Sequence, residues 1–152
     1  MGFFTLETAQ AELAPGGNFG PWIWDLNLKA EHVSGEFVRL RLPYSERIAR
    51  PGGVVTGQAM MAMTDTIMVL AICERLGRSA TLATVSQTVN FLRAAVRQDV
   101  IAVARVRKLG RTTAFGEVDL SVAGSDEPIA QALSTFAVLP DGAGAFNRAD
   151  RG

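Results

Sequence analysis

The sequence predicts an α+β domain in which one antiparallel sheet packs against a single long helix. Residues 57–76 contain no proline and no glycine after the first position, and most of them are strong helix formers. Two strand-like segments precede this stretch and four follow it. The helix is apolar nearly all round, and an antiparallel sheet must bury its apolar face. We therefore expect the sheet to curl around the helix.

Composition limits the possible functions. The chain has 152 residues, a usual length for one domain, and 48% of them are hydrophobic, which is enough for a core. Fifteen basic residues balance fifteen acidic ones, so no bulk charge attracts nucleic acid. His32 is the only histidine and Cys73 the only cysteine, and both are expected to be structural. An intramolecular disulfide, a Cys/His zinc site and a mechanism with two histidines are excluded.

The sequence also indicates the location of the protein. Residues 1–10 lack the basic and apolar regions of a signal peptide. Residues 54–73 approach the length of a membrane span, but they include Asp65, which would cost about 3 kcal/mol in lipid. We expect a soluble, cytoplasmic protein with no membrane partner.

Three elements are predicted before the long helix. Residues 3–13 are expected to form a short helix, and residues 22–28 and 37–42 to form strands. The second strand should bury one face, formed by Val38, Leu40 and Leu42. A glycine-rich turn at residues 51–53 then leads into the helix.

Everything after the long helix is predicted to be strand. Gly77 is placed to cap the C-terminus of the helix. The four following segments are joined by short turns, which predicts a meander of residues 80–92, 100–108, 113–122 and 129–139.

Four short motifs follow this order of elements. Residues 53–57 (GVVTG) enter the helix, and Asp65-Thr66 lies inside it. Residues 89–93 (VNFLR) end the next strand, and residues 134–140 (STFAVLP) close the domain. With these motifs in this order, the sequence resembles the acyl-CoA thioesterases of the hotdog fold, in the branch related to phenylacetyl-CoA thioesterase.

This resemblance implies a domain organisation. It covers residues 19–140, which would form the hotdog thioesterase domain, with an N-terminal extension over 1–18 and a flexible tail over 141–152. The sequence departs from the family at two places. Relatives usually carry His-Gly-Gly where this chain has residues 56–58 (TGQ), and Asn where it has Arg50.

The resemblance ties Asp65 and Gly57 most directly to catalysis. A lone carboxylate in an apolar helix is costly unless it is hydrogen-bonded, and catalytic groups are often found at such positions. Asp65 is expected to activate a water or to attack the thioester carbonyl, and the sequence leaves both roles open. The N–H of Gly57, at the start of the helix, would form an oxyanion hole. A structural aspartate and a turn glycine are the alternatives.

Further residues are assigned around these two. Thr66 and Thr84 are candidates to orient Asp65 or the attacking water, because relatives often carry hydroxyls at matching positions. Thr56 is predicted to cap the helix and could also contact the substrate. The full set of predicted substrate contacts is Thr56, Gln58, Arg50, Asn90, Arg93 and Arg111. Of these, Arg93 and Arg111 would serve the phosphates of CoA, which enters only as part of the substrate, and a solvated strand face is the alternative for them. No metal and no separate cofactor are expected.

The spacing of the two central residues has a geometric consequence. Gly57 and Asp65 are eight positions apart, which is about 12 Å along a helix axis. One thioester carbonyl therefore cannot lie against both in the same chain. If both act on one thioester, Asp65 must come from a second chain whose helix runs antiparallel, and the resemblance implies the same shared site. We expect a homodimer or a homotetramer.

Two functions from different classes follow. The first is hydrolysis of a small acyl- or aryl-acyl-CoA thioester, and the second is non-catalytic binding of an acyl-CoA or an acyl-carrier protein. A hydratase of this fold would need a catalytic histidine paired with an acid. His32 lies outside the helix entry, so this third possibility is set aside.

Overall fold

The computed structural model of the protein describes residues 2–141. Its helices are α1 (Leu6–Glu12), α2 (Pro21–Trp24) and α3 (Gly57–Leu76). Its strands are β1 (Lys29–Val33), β2 (Val38–Leu42), β3 (Ala49–Arg50), β4 (Val54–Val55), β5 (Leu82–Phe91), β6 (Val100–Leu109), β7 (Thr113–Val122) and β8 (Pro128–Val138). Beyond Asp141, the predicted flexible tail lies outside the described residues.

Six strands form one antiparallel sheet in the order β1-β2-β6-β7-β8-β5. Helix α3 packs on the inner face of this sheet, chiefly against β6 and β2. Val38, Leu40 and Leu42 of β2 are fully buried, as predicted. The predicted fold class, one antiparallel sheet around one long helix, is confirmed.

Helix α3 begins and ends where the sequence predicts. The hydroxyl of Thr56 accepts a hydrogen bond from the N–H of Ala59, which caps the first turn. Gly77 ends the helix in the left-handed conformation, with φ 70°. Thirteen of the twenty helical residues are buried. Among residues 2–141, no helix has the length and apolar character needed to span a membrane.

The predicted strand over residues 22–28 is wrong. Pro21 begins the short helix α2, and the chain then turns through Asn27, whose φ is 56°. Strand β1 begins only at Lys29. The buried residues Ile23 and Leu26 are three positions apart, which is a helical spacing. Proline is also favoured in the first turn of a helix, so local preference outweighs the apolar run.

The predicted meander is correct for three strands and wrong for the fourth. Strands β6, β7 and β8 follow one another, but β5 pairs with β8 at the edge of the sheet. The connection over residues 92–99 is held to the β3-β4 hairpin instead of forming a tight turn. The carbonyl of Ala95 accepts from the N–H of Val55, and the carbonyl of Gly53 from the N–H of Arg97, each at 2.9 Å. This tether carries the chain from the edge to the middle of the sheet.

The N-terminal segment covers the other edge of the sheet. A helix is present within the predicted residues 3–13, as the shorter α1. From this helix, the side chain of Gln10 reaches the backbone beside β1. Its amide nitrogen donates to the carbonyl of Leu28 at 3.1 Å, and its amide oxygen accepts from the N–H of Ala30 at 2.8 Å. These bonds satisfy backbone groups that an open edge would leave free.

Candidate active site

Asp65 is a half-buried carboxylate in the middle of α3. The hydroxyl of Thr84 on β5 donates to its Oδ1 at 2.7 Å, and the role of Thr84 in orienting Asp65 or the attacking water stays a prediction. Its Oδ2 has no hydrogen-bond partner within residues 2–141. A carboxylate held through one oxygen keeps the other available to accept a proton or to attack an electrophile.

Thr84 reaches Asp65 because strand β5 contains a β-bulge. Relative to β8, the strand carries one extra residue, Val85, between Thr84 and Ser86. Side chains alternate along a regular strand, so Thr84 and Gln87 would otherwise point to opposite faces. The extra residue lets both side chains face α3, where each makes a hydrogen bond.

The N-terminus of α3 presents two free backbone donors. The carbonyl of Thr56 accepts from the N–H of Met60 at 3.3 Å, and the Thr56 hydroxyl caps Ala59 at 3.4 Å. The N–H groups of Gly57 and Gln58 have no partner in the described part of the chain. The helix dipole adds partial positive charge at this end. An oxygen that gains negative charge during a reaction is stabilised in such a place.

Strand β5 contacts one stripe of α3 at three successive turns. At the first turn, the ring of Phe91 lies over Gly57. At the second, the side-chain amide of Gln87 donates to a helix carbonyl at 3.1 Å. At the third, Thr84 donates to Asp65. The same edge strand therefore positions both residues that carry the predicted chemistry.

A groove of about 410 Å³ opens beside Gly57. It has an apolar floor, an aromatic wall and a basic rim, formed by Val54, Val55, Met60, Phe91, Arg50 and Arg93. The guanidinium of Arg93 donates to the carbonyl of Pro128 at 3.0 Å and pairs with Glu127 at 2.9 Å. Cations at the mouth of an apolar groove suit a ligand with an apolar end and an anionic end.

Several predicted residues meet at this end of α3. Gly57, Arg50 and Arg93 line the groove, and Thr56 caps the helix beside it. Gln58 is exposed on the first turn. Asp65 lies two turns further along the helix, where Thr84 of β5 contacts it. This separation agrees with the spacing argument, because one chain does not bring the two groups to one point.

Three predicted residues do not join the site within the chain. Thr66 donates its hydroxyl to the carbonyl of Ala62 at 2.8 Å and not to Asp65, and its alternative role of orienting the attacking water stays a prediction. Asn90 faces the outer side of the sheet, because it alternates with the inward-facing residue after it. Arg111 lies in the β6-β7 turn, at the opposite end of the sheet from Gly57.

Other reactive side chains lie elsewhere. Burial raises the pKa of the Cys73 thiol, which disfavours its nucleophilic thiolate. His32, on strand β1, stacks against Phe37 with 4.2 Å between ring centres, at the edge of the sheet away from β5. Among the described residues, no three His, Cys, Asp or Glu side chains come together as metal ligands.

The family of the protein is shown by its sequence. Residues 52–129 match the model of the thioesterase superfamily, which covers about half of the chain, and the chain belongs to this superfamily. The predicted superfamily is confirmed, and the relation to the phenylacetyl-CoA branch stays a prediction. A protein from Halobacterium salinarum, named as a candidate esterase, is 34% identical over 100 residues. That alignment covers 62% of this chain and 66% of the relative, a little under two thirds of its length.

Solved thioesterase structures share the fold. A candidate thioesterase from Silicibacter sp. TM1040 is 30% identical with a TM-score of 0.79, covering 90% of this chain and 93% of the other. A mutant of thioesterase PA1618 from Pseudomonas aeruginosa is 25% identical with a TM-score of 0.79, covering 90% and 95%. Zebra fish thioesterase superfamily member 2 is 25% identical with a TM-score of 0.76, covering 90% and 99%. The predicted hotdog fold is confirmed.

Proposed function

We propose that this protein hydrolyses the thioester of a small acyl- or aryl-acyl-CoA. One observation carries the proposal: helix α3 combines the carboxylate of Asp65, held by Thr84, with the free N–H of Gly57 beside an apolar groove. Thioester hydrolysis as the reaction class is supported by membership in the thioesterase superfamily. The choice of acyl group and the roles of the residues are the proposed part.

In this mechanism, the thioester carbonyl lies at the N-terminus of α3. The carbonyl oxygen accepts a hydrogen bond from the N–H of Gly57, with the N–H of Gln58 as a second donor. As the carbonyl carbon becomes tetrahedral, its oxygen takes on negative charge. Donors that are already fixed in place stabilise this charge without any reorganisation.

Asp65 supplies the second half of the chemistry. As a general base it takes a proton from water while the water oxygen bonds to the carbonyl carbon. The C–S bond then breaks, and the CoA thiolate leaves and takes up a proton. As a nucleophile, the carboxylate would instead form an anhydride that water hydrolyses in a second step. Both routes need Oδ2 to be free while Thr84 holds Oδ1.

The two halves come from different chains in the proposed homodimer. Gly57 and Asp65 are eight positions apart in a regular helix, about 12 Å along its axis. An antiparallel copy of α3 across a two-fold axis places the partner's Asp65 beside Gly57, and the reverse pair forms the second site. A homotetramer would repeat this dimer.

Substrate contacts follow from the groove. The acyl group lies on the apolar floor, and Arg50 and Arg93 at the rim face the anionic carrier. Arginine pairs with phosphate in a fixed geometry, which suits the phosphates of CoA. Arg93 is already held by Glu127, so we expect Arg50 to contribute more to CoA binding.

Thiol release from a panel of CoA thioesters tests the proposal. Acetyl-, butanoyl-, octanoyl-, benzoyl- and phenylacetyl-CoA would be compared, with thermal stabilisation by each compound measured in parallel. We expect saturable release from at least one short or aromatic thioester. Stabilisation without hydrolysis would favour the non-catalytic binding protein, and the absence of both effects would contradict both functions.

A further inference from the structure

We infer that the ring of Phe91 sets the length of the acyl group that the groove accepts. Phe91 is the last residue of β5 and lies opposite Ala130, whose side chain is fully buried in the core on the inner face of the sheet. Phe91 therefore faces the helix and not the outer side of the sheet. The inference rests on the proposed function, because it concerns the acyl end of the same site.

The ring occupies the space next to the proposed oxyanion hole. An ideal Cβ on Gly57 would lie 3.2 Å from Cζ of Phe91 and 3.5 and 3.6 Å from its two Cε atoms. The far edge of the ring is thus in contact with the first residue of α3. Phe91 is nevertheless 46% exposed, so the rest of the ring borders the open groove.

An acyl group at Gly57 must pass this ring. The carbonyl oxygen would lie about 3 Å from the donor nitrogen, which places the first carbons of the acyl group beside the aromatic edge. The other side of the groove is fixed, because Val55 and Met60 are almost fully buried in the core. A short acyl group fits between this floor and the ring, and a flat aromatic group can lie against the ring. A long alkyl chain would collide with the ring and is therefore excluded.

The same contact gives Gly57 a second reason to be glycine. A side chain at position 57 would crowd the ring of Phe91, because its Cβ would lie 3.2 Å from Cζ, which is closer than an ordinary carbon–carbon contact. The size of residue 57 and the position of the Phe91 ring are therefore coupled. Because Gly57 has no side chain, the ring can occupy the space above it.

The inference is tested with Phe91→Ala and two acyl lengths. The measured quantity is the ratio of kcat/KM for octanoyl-CoA to kcat/KM for butanoyl-CoA. Removing the ring should raise this ratio at least about tenfold, because even one methylene in an apolar pocket changes selectivity by that much. Phe91→Trp, with a larger ring, should lower the ratio.

Phe115→Ala is the matched control. Phe115 is 42% exposed, close to the value for Phe91, but it lies on β7 and faces the outer side of the sheet. The ratio should stay at the wild-type value. If Phe91→Ala folds poorly, Phe91→Leu keeps an apolar side chain without a ring and should shift the ratio in the same direction, by less.

A binding measurement separates this inference from the proposed function. S-Butyl-CoA and S-octyl-CoA are thioethers that cannot be hydrolysed, so their Kd values report acyl length without catalysis. Phe91→Ala should strengthen binding of S-octyl-CoA relative to S-butyl-CoA whether or not the protein is a thioesterase. Folded Phe91 variants with wild-type Kd and kcat/KM ratios would overturn the inference and leave the proposed function intact. A wild-type protein that binds these thioethers but hydrolyses no thioester would contradict only the proposed function.

Discussion

The two edge strands of the sheet, β1 and β5, differ in length and in what covers them. At one edge, β1 has only five residues, and Gln10 from α1 bonds to the backbone of Leu28 and Ala30. At the other edge, β5 has ten residues, and none of them is buried. Within residues 2–141, β8 is its only strand neighbour. The chain closes the first edge itself and leaves the second open.

The open edge and the candidate site are the same region. Thr84, Gln87 and Phe91, which contact the stripe of α3, all lie on β5. A long edge strand with free backbone groups is a template for another strand. We expect β5 to pair with β5 of a second copy, because an antiparallel pair would also bring the two α3 helices side by side in opposite directions. Assembly and catalysis are thus expected to depend on the β5 edge and not on the β1 edge.

The largest effect is expected from Asp65→Asn. Asparagine has nearly the same shape and can still accept a hydrogen bond from Thr84, so the fold and the dimer should persist. The lost charge should lower kcat by about 10²- to 10⁴-fold, with KM little changed. Steady-state kinetics on the best thioester measures this. Glu36→Gln, an exposed acid in the β1-β2 turn, is the control and should behave as wild type. An unchanged kcat in folded Asp65→Asn would remove Asp65 from the mechanism.

Gly57→Pro is expected to have the next largest effect. Proline deletes the N–H but is tolerated in the first turn of a helix, and the preceding Thr56 already has the extended ψ of 147° that a residue before proline prefers. Loss of one oxyanion-hole donor should lower kcat by about 10²- to 10³-fold. Gly57→Ala adds the same Cβ beside Phe91 but keeps the N–H, so its kcat should fall much less. Equal losses in both variants would show that crowding, not the donor, is responsible.

The sequence predicts the local features of this region well. The sequence predicts helix α3 at its observed bounds, because Thr56 and Gly77 each act on the helix turn next to them and the apolar run lies between them. The unusual surroundings of Asp65 and the resemblance predict a catalytic role for it, which stays a prediction, and its hydrogen bond with Thr84 is present.

Features that depend on strand pairing were not predictable in the same way. The bulge at Val85 exists only relative to β8, and it decides which way Thr84 points. The position of β5 at the edge, instead of beside β6, goes with the tether of residues 92–99 to the β3-β4 hairpin, of which the sequence predicts only the turn at residues 51–53. The contact of Phe91 with Gly57 likewise depends on the pairing of β5 with β8. Alternation along β5 predicts that Phe91 and Asn90 face opposite sides of the sheet. It does not predict that Phe91 lies over the N-terminus of α3.

Val85→Lys should open the proposed dimer. Val85 is 63% exposed at the bulge of β5, so the substitution costs the isolated chain little. Lysine on an edge strand disfavours pairing with another strand, and two copies would bring like charges together. Sedimentation should show a dimer Kd at least about tenfold higher, with specific activity falling on dilution.

Leu133→Lys is the control for this change. Leu133 is 65% exposed but lies on the outer side of β8, one strand in from the open edge and opposite Thr88 of β5. It should keep both the dimer and its activity. If Leu133→Lys dissociates the dimer and Val85→Lys does not, the interface lies on the outer face of the sheet and not at the β5 edge.

The smallest effect is expected at the closed edge. Gln10→Ala removes two hydrogen bonds to the backbone beside β1. Because this region is only partly buried, water can replace them in part, and the free energy of unfolding should fall by about 1 kcal/mol. Urea denaturation measures the loss. Activity and dimer formation should not change, and an effect on kcat would contradict the separation of the two edges.

Mixing two inactive variants tests the shared site most directly. Asp65→Asn and Gly57→Pro would be unfolded together in equal amounts and refolded, so that mixed dimers form. In a mixed dimer, one site receives both altered residues and the other receives Gly57 from one chain and Asp65 from its partner. Random pairing should then restore about a quarter of wild-type activity, because half of the dimers are mixed and half of their sites are intact. Activity no higher than the average of the two separately refolded variants would contradict a site built from two chains.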